Sequence, residues 1–259
     1  MIAVICSSNR PHLWQQLYCA LSQNKTPFNL TIVGPYPPIY SLPPNFKFMK
    51  SGVKPVQCFF IALHNTEGEY VIPLVDDMIP DQNSLDSMVN ILSTGGKYDA
   101  VTLQYVYNRT LITHEFMVVK IVDPENPDID EAIISFPVPV PYCPMMRKAT
   151  LLEVGMDKAF VAGQWDLDVV LELASRGGTI YKDNHMIREA KCDTRTRSSH
   201  LNQGDFTLLM EMWVEKLQIA DGDVVMKDGK RYRQFSMLPN RRKPINPLEY
   251  AEDVEYRSQ

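Results

Sequence analysis

Two adjacent carboxylates, Asp76 and Asp77, follow the apolar run Tyr70–Val75 and carry the most distinctive chemistry in the chain. Neighbouring residues of an extended chain point to opposite sides, so two acids at a strand end serve different partners. One can face a hard divalent cation, and the other can accept hydrogen bonds from sugar hydroxyl groups. The alternative is that the pair only makes a turn after the strand, which is a common role of Asp.

Strands and helices alternate around this pair. Short apolar runs predict strands, and spacings of three and four residues predict helices. The strands are expected at 2–6, 30–33, 70–75 and 100–106, and the helices at 11–23, from 56 onward and at 84–92. This order predicts a mainly parallel sheet covered by helices on both faces, whose ligands bind beyond the carboxyl ends of the strands.

The second half of the chain has a different pattern. Strands are expected at 117–122 and 132–138, and helices at 148–154, 167–176 and 206–217. The residues after 218 are polar and basic and contain several prolines. We interpret them as a tail that packs loosely on the domain or is ordered by a partner.

Composition excludes several classes of protein. The 259 residues carry 26 Lys and Arg against 31 Asp and Glu, a net charge of −5, which argues against a nucleic-acid coat protein. No apolar run reaches the roughly 18 residues of a membrane span, and no basic flank precedes the first apolar stretch. The 5 cysteines are scattered without a CxxC pair, which is typical of reduced thiols. We expect a cytoplasmic protein.

The segment before the two carboxylates suggests a family. The run Ala62–Val71, which contains Gly68-Glu69-Tyr70-Val71, precedes Asp76-Asp77. It resembles the central signature of glycosyltransferases of the GT-A fold, in particular inverting family 2. Val75 occupies the first acid position of the family's D-x-D motif, so this version is x-D-D. The resemblance implies that Asp77 reaches a Mn²⁺ or Mg²⁺ ion and that Asp76 lies near the nucleotide ribose.

Two upstream segments extend the resemblance. The segment Val4–Pro11 is similar to the first strand and loop of these enzymes, which implies nucleotide contacts from Ser7, Asn9 and Arg10. Lys54 and Gln57 are similar in place to groups that line the nucleotide. For Arg10 and Lys54 the alternative is a solvated surface cation.

The segment Pro144–Phe160, followed by Gly163–Leu171, resembles the acceptor side of the family. The resemblance makes Asp166 the general base, because a sugar hydroxyl must lose its proton as it attacks the anomeric carbon. The alternative for Asp166 is a helix N-cap. Trp165 stands where the family has Glu, and we expect it either to stack on an acceptor sugar or to lie in the core.

Histidines and a basic loop complete the candidate site. Many members of the family place a His after this helix, which implies that His185 or His200 completes the metal shell or touches the diphosphate. The alternative for each is an ordinary surface or core histidine. The loop Lys191–Arg197 is expected to close over a diphosphate, or else to be a solvated run of charge.

Together these matches imply an α/β protein with the GT-A, Rossmann-like fold and a short antiparallel element on the acceptor side. We predict a domain at 1–218, with a nucleotide-binding half at 1–107 and an acceptor-side half at 108–218, and a basic extension at 219–259. Its partners would be a nucleotide-diphosphate sugar and a hydroxyl acceptor such as a glycan, without nucleic acid.

Three other functions compete with this prediction. A sugar-1-phosphate nucleotidyltransferase and a dinucleotide-binding dehydrogenase would each carry a glycine-rich phosphate loop after the first strand, and Ser7–Arg10 has no glycine. A non-catalytic protein that binds nucleotide sugars or glycans on a degenerate GT-A fold stays open, because Val75 and Trp165 depart from the family pattern.

Overall fold

The computed structural model describes residues 1–107, 110–112, 116–120, 125–135, 143–190, 199–213, 223–227 and 229–236. Most of the strands form a mixed sheet, and four others form a second, smaller sheet. The strands are β1 (Ile2–Ser7), β2 (Phe28–Gly34), β3 (Phe46–Lys50), β4 (Tyr70–Val75), β5 (Met78–Pro80), β6 (Ala100–Tyr107), β7 (Thr110–Ile112), β8 (Phe116–Lys120), β9 (Glu131–Ser135), β10 (Met145–Arg147), β11 (Ile180–Glu189), β12 (Asp223–Lys227) and β13 (Lys230–Ser236). The helices are α1 (Trp14–Leu21), α2 (Pro55–Asn65), α3 (Ser84–Ser93), α4 (Lys148–Val154), α5 (Trp165–Ser175) and α6 (Ser199–Trp213).

The large sheet has the strand order β3-β2-β1-β4-β10-β6-β11-β5, with β7 paired to β6. The first four strands in this order are parallel, as is the pair β6 and β11. The chain passes from β1 outward to β3 and then returns to place β4 on the other side of β1. The carboxyl ends of β1 and β4 therefore form a topological switch point, where ligands of such sheets bind.

Helices cover the sheet on both faces, because strand residues alternate between two cores. Ala3, Ile5 and Val71 pack with the buried sides of α2, α4, α5 and α6. Val4 and Ile72 pack on the opposite face, with α1 and α3. This alternation explains why the runs that predicted the strands are apolar throughout.

The short strand β10 separates the two parallel parts of the sheet. It runs antiparallel to both neighbours and, among the described residues, pairs with β4 only at Tyr70 and Val71. Pro73, which lacks an N–H group, lies beyond these pairs and costs no ladder bond on that side. The last residues of β4, which lead to Asp76, therefore extend past the end of β10.

Several elements differ from the sequence-based expectation. The helix expected at 11–23 begins with a 3-10 turn at Pro11–Leu13, and the one expected from 167 begins at Trp165. Residues 223–227 and 229–236 are not a loosely packed tail, since β13 pairs with β9 and β12 pairs with β13. Ion pairs join this hairpin to the residues before β9, including Arg231 with Asp128 at 2.7 Å. The remaining tail, 237–259, lies outside the described residues, and the predicted domain boundary stays a prediction.

No helix in the described ranges is long and apolar enough to cross a membrane.

Candidate functional site

The loop after β1 and the end of β4 lie side by side. The parallel register pairs Ser7 with Val75, so the residues that follow, Ser8 and Asp76, are neighbours at the edge of the sheet. The loop also lies against the end of β2, where a Cβ atom on Gly34 would stand 1.8 Å from the Ser8 carbonyl oxygen. Gly34 therefore permits a close approach that no other residue type allows.

Arg10 joins both carboxylates of the acidic pair. Its guanidinium contacts both oxygens of Asp76, with Nε 3.2 Å from Oδ2, and its Nη2 lies 2.8 Å from Oδ2 of Asp77. The Ser8 hydroxyl also donates to Asp76 and in turn accepts a bond from the Trp14 indole N–H at 2.6 Å. The four polar residues thus form one partly buried network at the strand ends.

The charges in this network depend on one another. Burial lowers the pKa of the Arg10 guanidinium, but hydrogen bonds and charges from Asp76 and Asp77 outweigh it, and the pKa is raised overall. Burial raises the pKa of Asp76, which is 2% exposed, while hydrogen bonds from Arg10 and Ser8 oppose that rise. The ionised form of Asp76 therefore depends on Arg10.

Asp166 lies in the first turn of α5. The N-cap of this helix is Gln164, whose φ of 61° is left-handed, and Asp166 is the second helical residue. The interpretation of Asp166 as the N-cap is therefore wrong. Its carboxylate accepts the Leu167 backbone N–H at 3.0 Å, and no cation among the described residues pairs with it. Burial raises its pKa to about 6, against the opposing effect of backbone N–H groups.

The buried thiol of Cys143 connects the two ends of the site. Its pKa is raised first by burial and then by the negative charges of Asp166 and Asp77. Both carboxylates therefore act electrostatically on this one thiol. Cys143 also has a left-handed φ of 51°, a strained backbone of the kind that collects at functional sites.

The other residues predicted to bind the nucleotide lie around the switch point. The Ser7 side chain lies near enough to the Cys58 thiol of α2 to oppose the rise that burial causes in the pKa of that thiol. Asn9 is exposed, Lys54 is the half-buried N-cap of α2, and Gln57 is half-buried in its first turn. Their contacts with a nucleotide stay predictions.

Trp165 belongs to the core. Its ring is 5% exposed and its centroid lies 5.0 Å from that of Phe59 in α2. An acceptor sugar cannot stack on a ring that is already covered. Of the two expectations for Trp165, the contact with an acceptor is therefore wrong and the core position is right.

The structure does not bring His185 to the carboxylates. Sequence reasoning placed it after a strand at 179–182, but β11 continues to Glu189, and His185 lies inside the strand with its Nδ1 3.1 Å from Asp183. The Asp77 carbonyl is instead bonded by the N–H of Ala190, five residues later, about 16 Å along an extended strand. His200 is in the first turn of α6, and its side chain and the loop 191–198 lie outside the described residues.

The carboxylates of Asp76 and Asp77 offer the kind of ligand atom that a divalent cation binds. Carboxylate oxygens are preferred by Mg²⁺, which commonly takes one or two of them together with substrate phosphates. One guanidinium and two carboxylates leave a formal charge of 1 − 2 = −1, which a cation would offset. Within the described ranges no group of three or more His, Cys, Asp or Glu is arranged to hold a metal. A cation at Asp77 would compete with Arg10.

A separate cleft of about 330 Å³ opens between α4 and α5. Neither Asp77 nor Asp166 lines it. The lining residues are Val154, Gly155, Met156, Asp157, Lys158, Asp168 and Glu172.

Sequence reasoning missed two residues of the site. Ser8 was passed over in favour of its neighbours Ser7 and Asn9, although the strand register makes Ser8 the neighbour of Asp76. Cys143 was interpreted as an ordinary buried thiol. A predicted register between β1 and β4 would have identified Ser8, whereas no sequence signal marks Cys143.

Solved structures with a similar fold come from S. aureus TarS, a glycosyltransferase of the GT-A fold. Residues 1–349 of TarS align with a TM-score of 0.52 and 12% identity, over 80% of this chain and 70% of that one. The complex of the same fragment with UDP-GlcNAc gives 0.51 and 12%, over 76% and 60%. The complex with UDP gives 0.50 and 11%, over 80% and 70%.

No protein-family model and no curated protein matches the sequence. At this level of identity the structural matches establish the fold alone. The chain has the GT-A fold, and the predicted fold class is confirmed.

Proposed function

We propose that this protein transfers a sugar from a nucleotide-diphosphate sugar to an acceptor hydroxyl, with inversion at the anomeric carbon. The observation that carries the proposal is the network of Arg10, Asp76 and Asp77 at the switch point, where ligands of such sheets bind. A further carboxylate, Asp166 in the first turn of α5, has a pKa raised to about 6. A displacement reaction needs separate groups at its attacking and leaving ends.

Asp166 is suited to act as the base. A pKa of about 6 leaves the carboxylate ionised at pH 7 to 8 and still able to accept a proton. The acceptor hydroxyl would lose its proton to Asp166 as its oxygen bonds to the anomeric carbon. In the same step the bond to the leaving diphosphate breaks on the opposite face, which inverts the configuration.

The Ser8, Arg10, Asp76 and Asp77 network is suited to the donor. Asp76 offers carboxylate oxygens to ribose hydroxyls, and Arg10 offers guanidinium N–H groups to the diphosphate. The complexes of TarS with UDP-GlcNAc and UDP support a nucleotide-sugar donor. A divalent cation held by Asp77, when bound, would neutralise the leaving diphosphate.

The experiment measures sugar transfer and hydrolysis with a panel of uridine, guanosine and thymidine diphosphate sugars, with and without Mn²⁺. We expect Asp166→Asn to lose about 10²–10⁴-fold in kcat. Nucleotide diphosphate binding, followed by calorimetry, should be retained. Glu153→Gln, an exposed carboxylate on α4, is the matched control and should keep its turnover. Turnover at the wild-type rate in Asp166→Asn would contradict the assignment of Asp166 as the general base.

The second candidate is a non-catalytic nucleotide-sugar or glycan-binding protein. The contacts of Arg10 with both carboxylates favour it, because they occupy oxygens that a cation would use. Such a protein would bind a nucleotide diphosphate in the same calorimetry and show no transfer with any donor of the panel.

A further inference from the structure

A buried carboxylate outside the network, Asp205 of α6, binds three consecutive backbone N–H groups. One of its oxygens accepts the N–H of Val161 at 2.9 Å, and the other accepts those of Ala162 at 2.7 Å and Gly163 at 2.8 Å. Asp205 is 3% exposed. Hydrogen bonds from N–H groups to an ionised carboxylate are short and strong, and successive N–H groups turned to one side form an anion-binding concavity.

The segment 161–163 joins the two sides of the candidate site. The Val161 carbonyl accepts the N–H of Val56, in the first turn of α2 on the nucleotide side. The Gly163 carbonyl accepts the N–H of Trp165 at 2.8 Å, and Gln164 takes its left-handed conformation between them. The direction in which α5 leaves this segment sets the place of Asp166.

A second buried contact holds α5 against α6. The Trp213 indole N–H donates to Asp168 at 2.9 Å, and both side chains are buried. Asp205 and Trp213 are eight residues apart on α6, or about 12 Å along its axis. The base helix is thus fixed to α6 at two separated points, of which only Asp205 acts on the segment before Asp166.

We propose that Asp205 is a positioning residue, which holds the segment 161–163 and thereby sets the position of the Asp166 carboxylate. The catalytic importance of Asp205 rests on the proposed function, whereas its hydrogen bonds to the segment 161–163 do not depend on that function. Three N–H donors need two acceptor oxygens. An Asn at 205 keeps one oxygen and turns an NH₂ group toward the remaining donors, so it must displace the segment.

The test follows the Asp166 carboxyl directly, without substrate. Protein carrying ¹³C at the aspartate side-chain carboxyls is titrated by NMR from pH 4 to 8, and the Asp166 signal is assigned as the one missing in Asp166→Asn. In the wild-type protein it should titrate near 6. In Asp205→Asn we expect its midpoint to move by at least half a pH unit, because the carboxyl changes its burial and its bonds with backbone N–H groups.

Trp213→Phe is the matched control, because it removes a buried bond between the same helices without touching the segment 161–163. It should lower the thermal midpoint and leave the Asp166 titration in place. An unchanged titration in folded Asp205→Asn, or an equal shift in Trp213→Phe, would overturn the inference. If Asp205→Asn does not fold, Asp205→Glu takes its place. Glu keeps two acceptor oxygens, but its longer side chain displaces them, so the Asp166 titration should shift by a smaller amount. An unchanged titration in Asp205→Glu would then overturn the inference.

Where transfer is detected, kcat of Asp205→Asn should fall about 10–100-fold while the Kd for UDP changes less than threefold. If neither the wild-type protein nor any variant transfers a sugar, that result would count against the proposed function only. The NMR result would still decide the role of Asp205.

Discussion

At the end of β4, Asp76 and Asp77 share the guanidinium of Arg10, whereas at the start of α5 the Asp166 carboxylate has backbone N–H groups as partners. Burial raises the pKa of Asp76 in the first region and of Asp166 in the second. At Asp76 the hydrogen bonds from Arg10 and Ser8 oppose that rise, whereas at Asp166 only backbone N–H groups oppose it and the pKa reaches about 6. Chemically identical groups thus receive different environments, which fits the proposed division between charge stabilisation and proton transfer.

The largest effect is expected from removing the shared cation. Arg10→Met leaves Asp76 and Asp77 adjacent and partly buried without the guanidinium, which should lower the free energy of unfolding by about 3–5 kcal/mol at pH 8. Without Arg10, burial raises the pKa of Asp76 further above its unfolded value. The deficit should therefore grow as pH rises from about 4 to 8, because only the ionised form needs the cation.

Urea denaturation of Arg10→Met at pH 5 and pH 8 checks this expectation. Arg10→Lys is the matched control, which keeps the charge but not the forked geometry and should lose less. A deficit for Arg10→Met that is the same at both pH values would show that its packing, not its charge, matters.

A substitution at Asp166, at the start of α5, is expected to increase the free energy of unfolding rather than to lower it. The pKa of Asp166 is raised from 3.8 to about 6, so its ionisation costs stability above pH 6. Asp166→Asn should raise the free energy of unfolding by about 1–3 kcal/mol at pH 8. The gain should shrink as the pH falls below 6 and disappear below about pH 3, where the carboxyl is protonated in both the folded and unfolded states.

Thermal denaturation across this pH range, with Glu153→Gln alongside, measures the gain. A lower stability of Asp166→Asn at pH 8 would mean that the ionised carboxylate stabilises α5, contrary to the expectation.

The smallest effect on stability is expected from the packing of Gly34 in β2 against the loop that follows β1. In Gly34→Ala the new Cβ would stand 1.8 Å from the Ser8 carbonyl, which must move. We expect a loss of about 1–2 kcal/mol and weaker UDP binding. A Cβ on Gly52 would meet nothing within 4 Å, so Gly52→Ala is the control for stability. Equal stability of the two variants would contradict the close packing of this loop.

The sequence was informative where local pattern determines structure. The apolar runs located β1 and β4, and the position of Asp76 and Asp77 directly after β4 followed from them. It was uninformative where distant pairing decides. β10 has three residues and no periodicity, β13 pairs with the distant strand β9, and β12 pairs with β13.

The same limit applies within the site. Arg10 was expected to contact the nucleotide, but its ion pairs with both carboxylates depend on side-chain geometry that spacing does not encode. His185 was misplaced because the end of a half-buried strand leaves little trace in the sequence.

The most direct test of the account is the pH dependence of kcat/KM for sugar transfer between pH 5 and 9. If Asp166 takes the proton of the acceptor, the rate of the wild-type protein should fall about tenfold per pH unit below an apparent pKa near 6. The residual rate of Asp166→Asn should lack this limb. A wild-type rate that stays constant from pH 7 down to pH 5 would contradict the assignment of Asp166 as the base opposite Asp77.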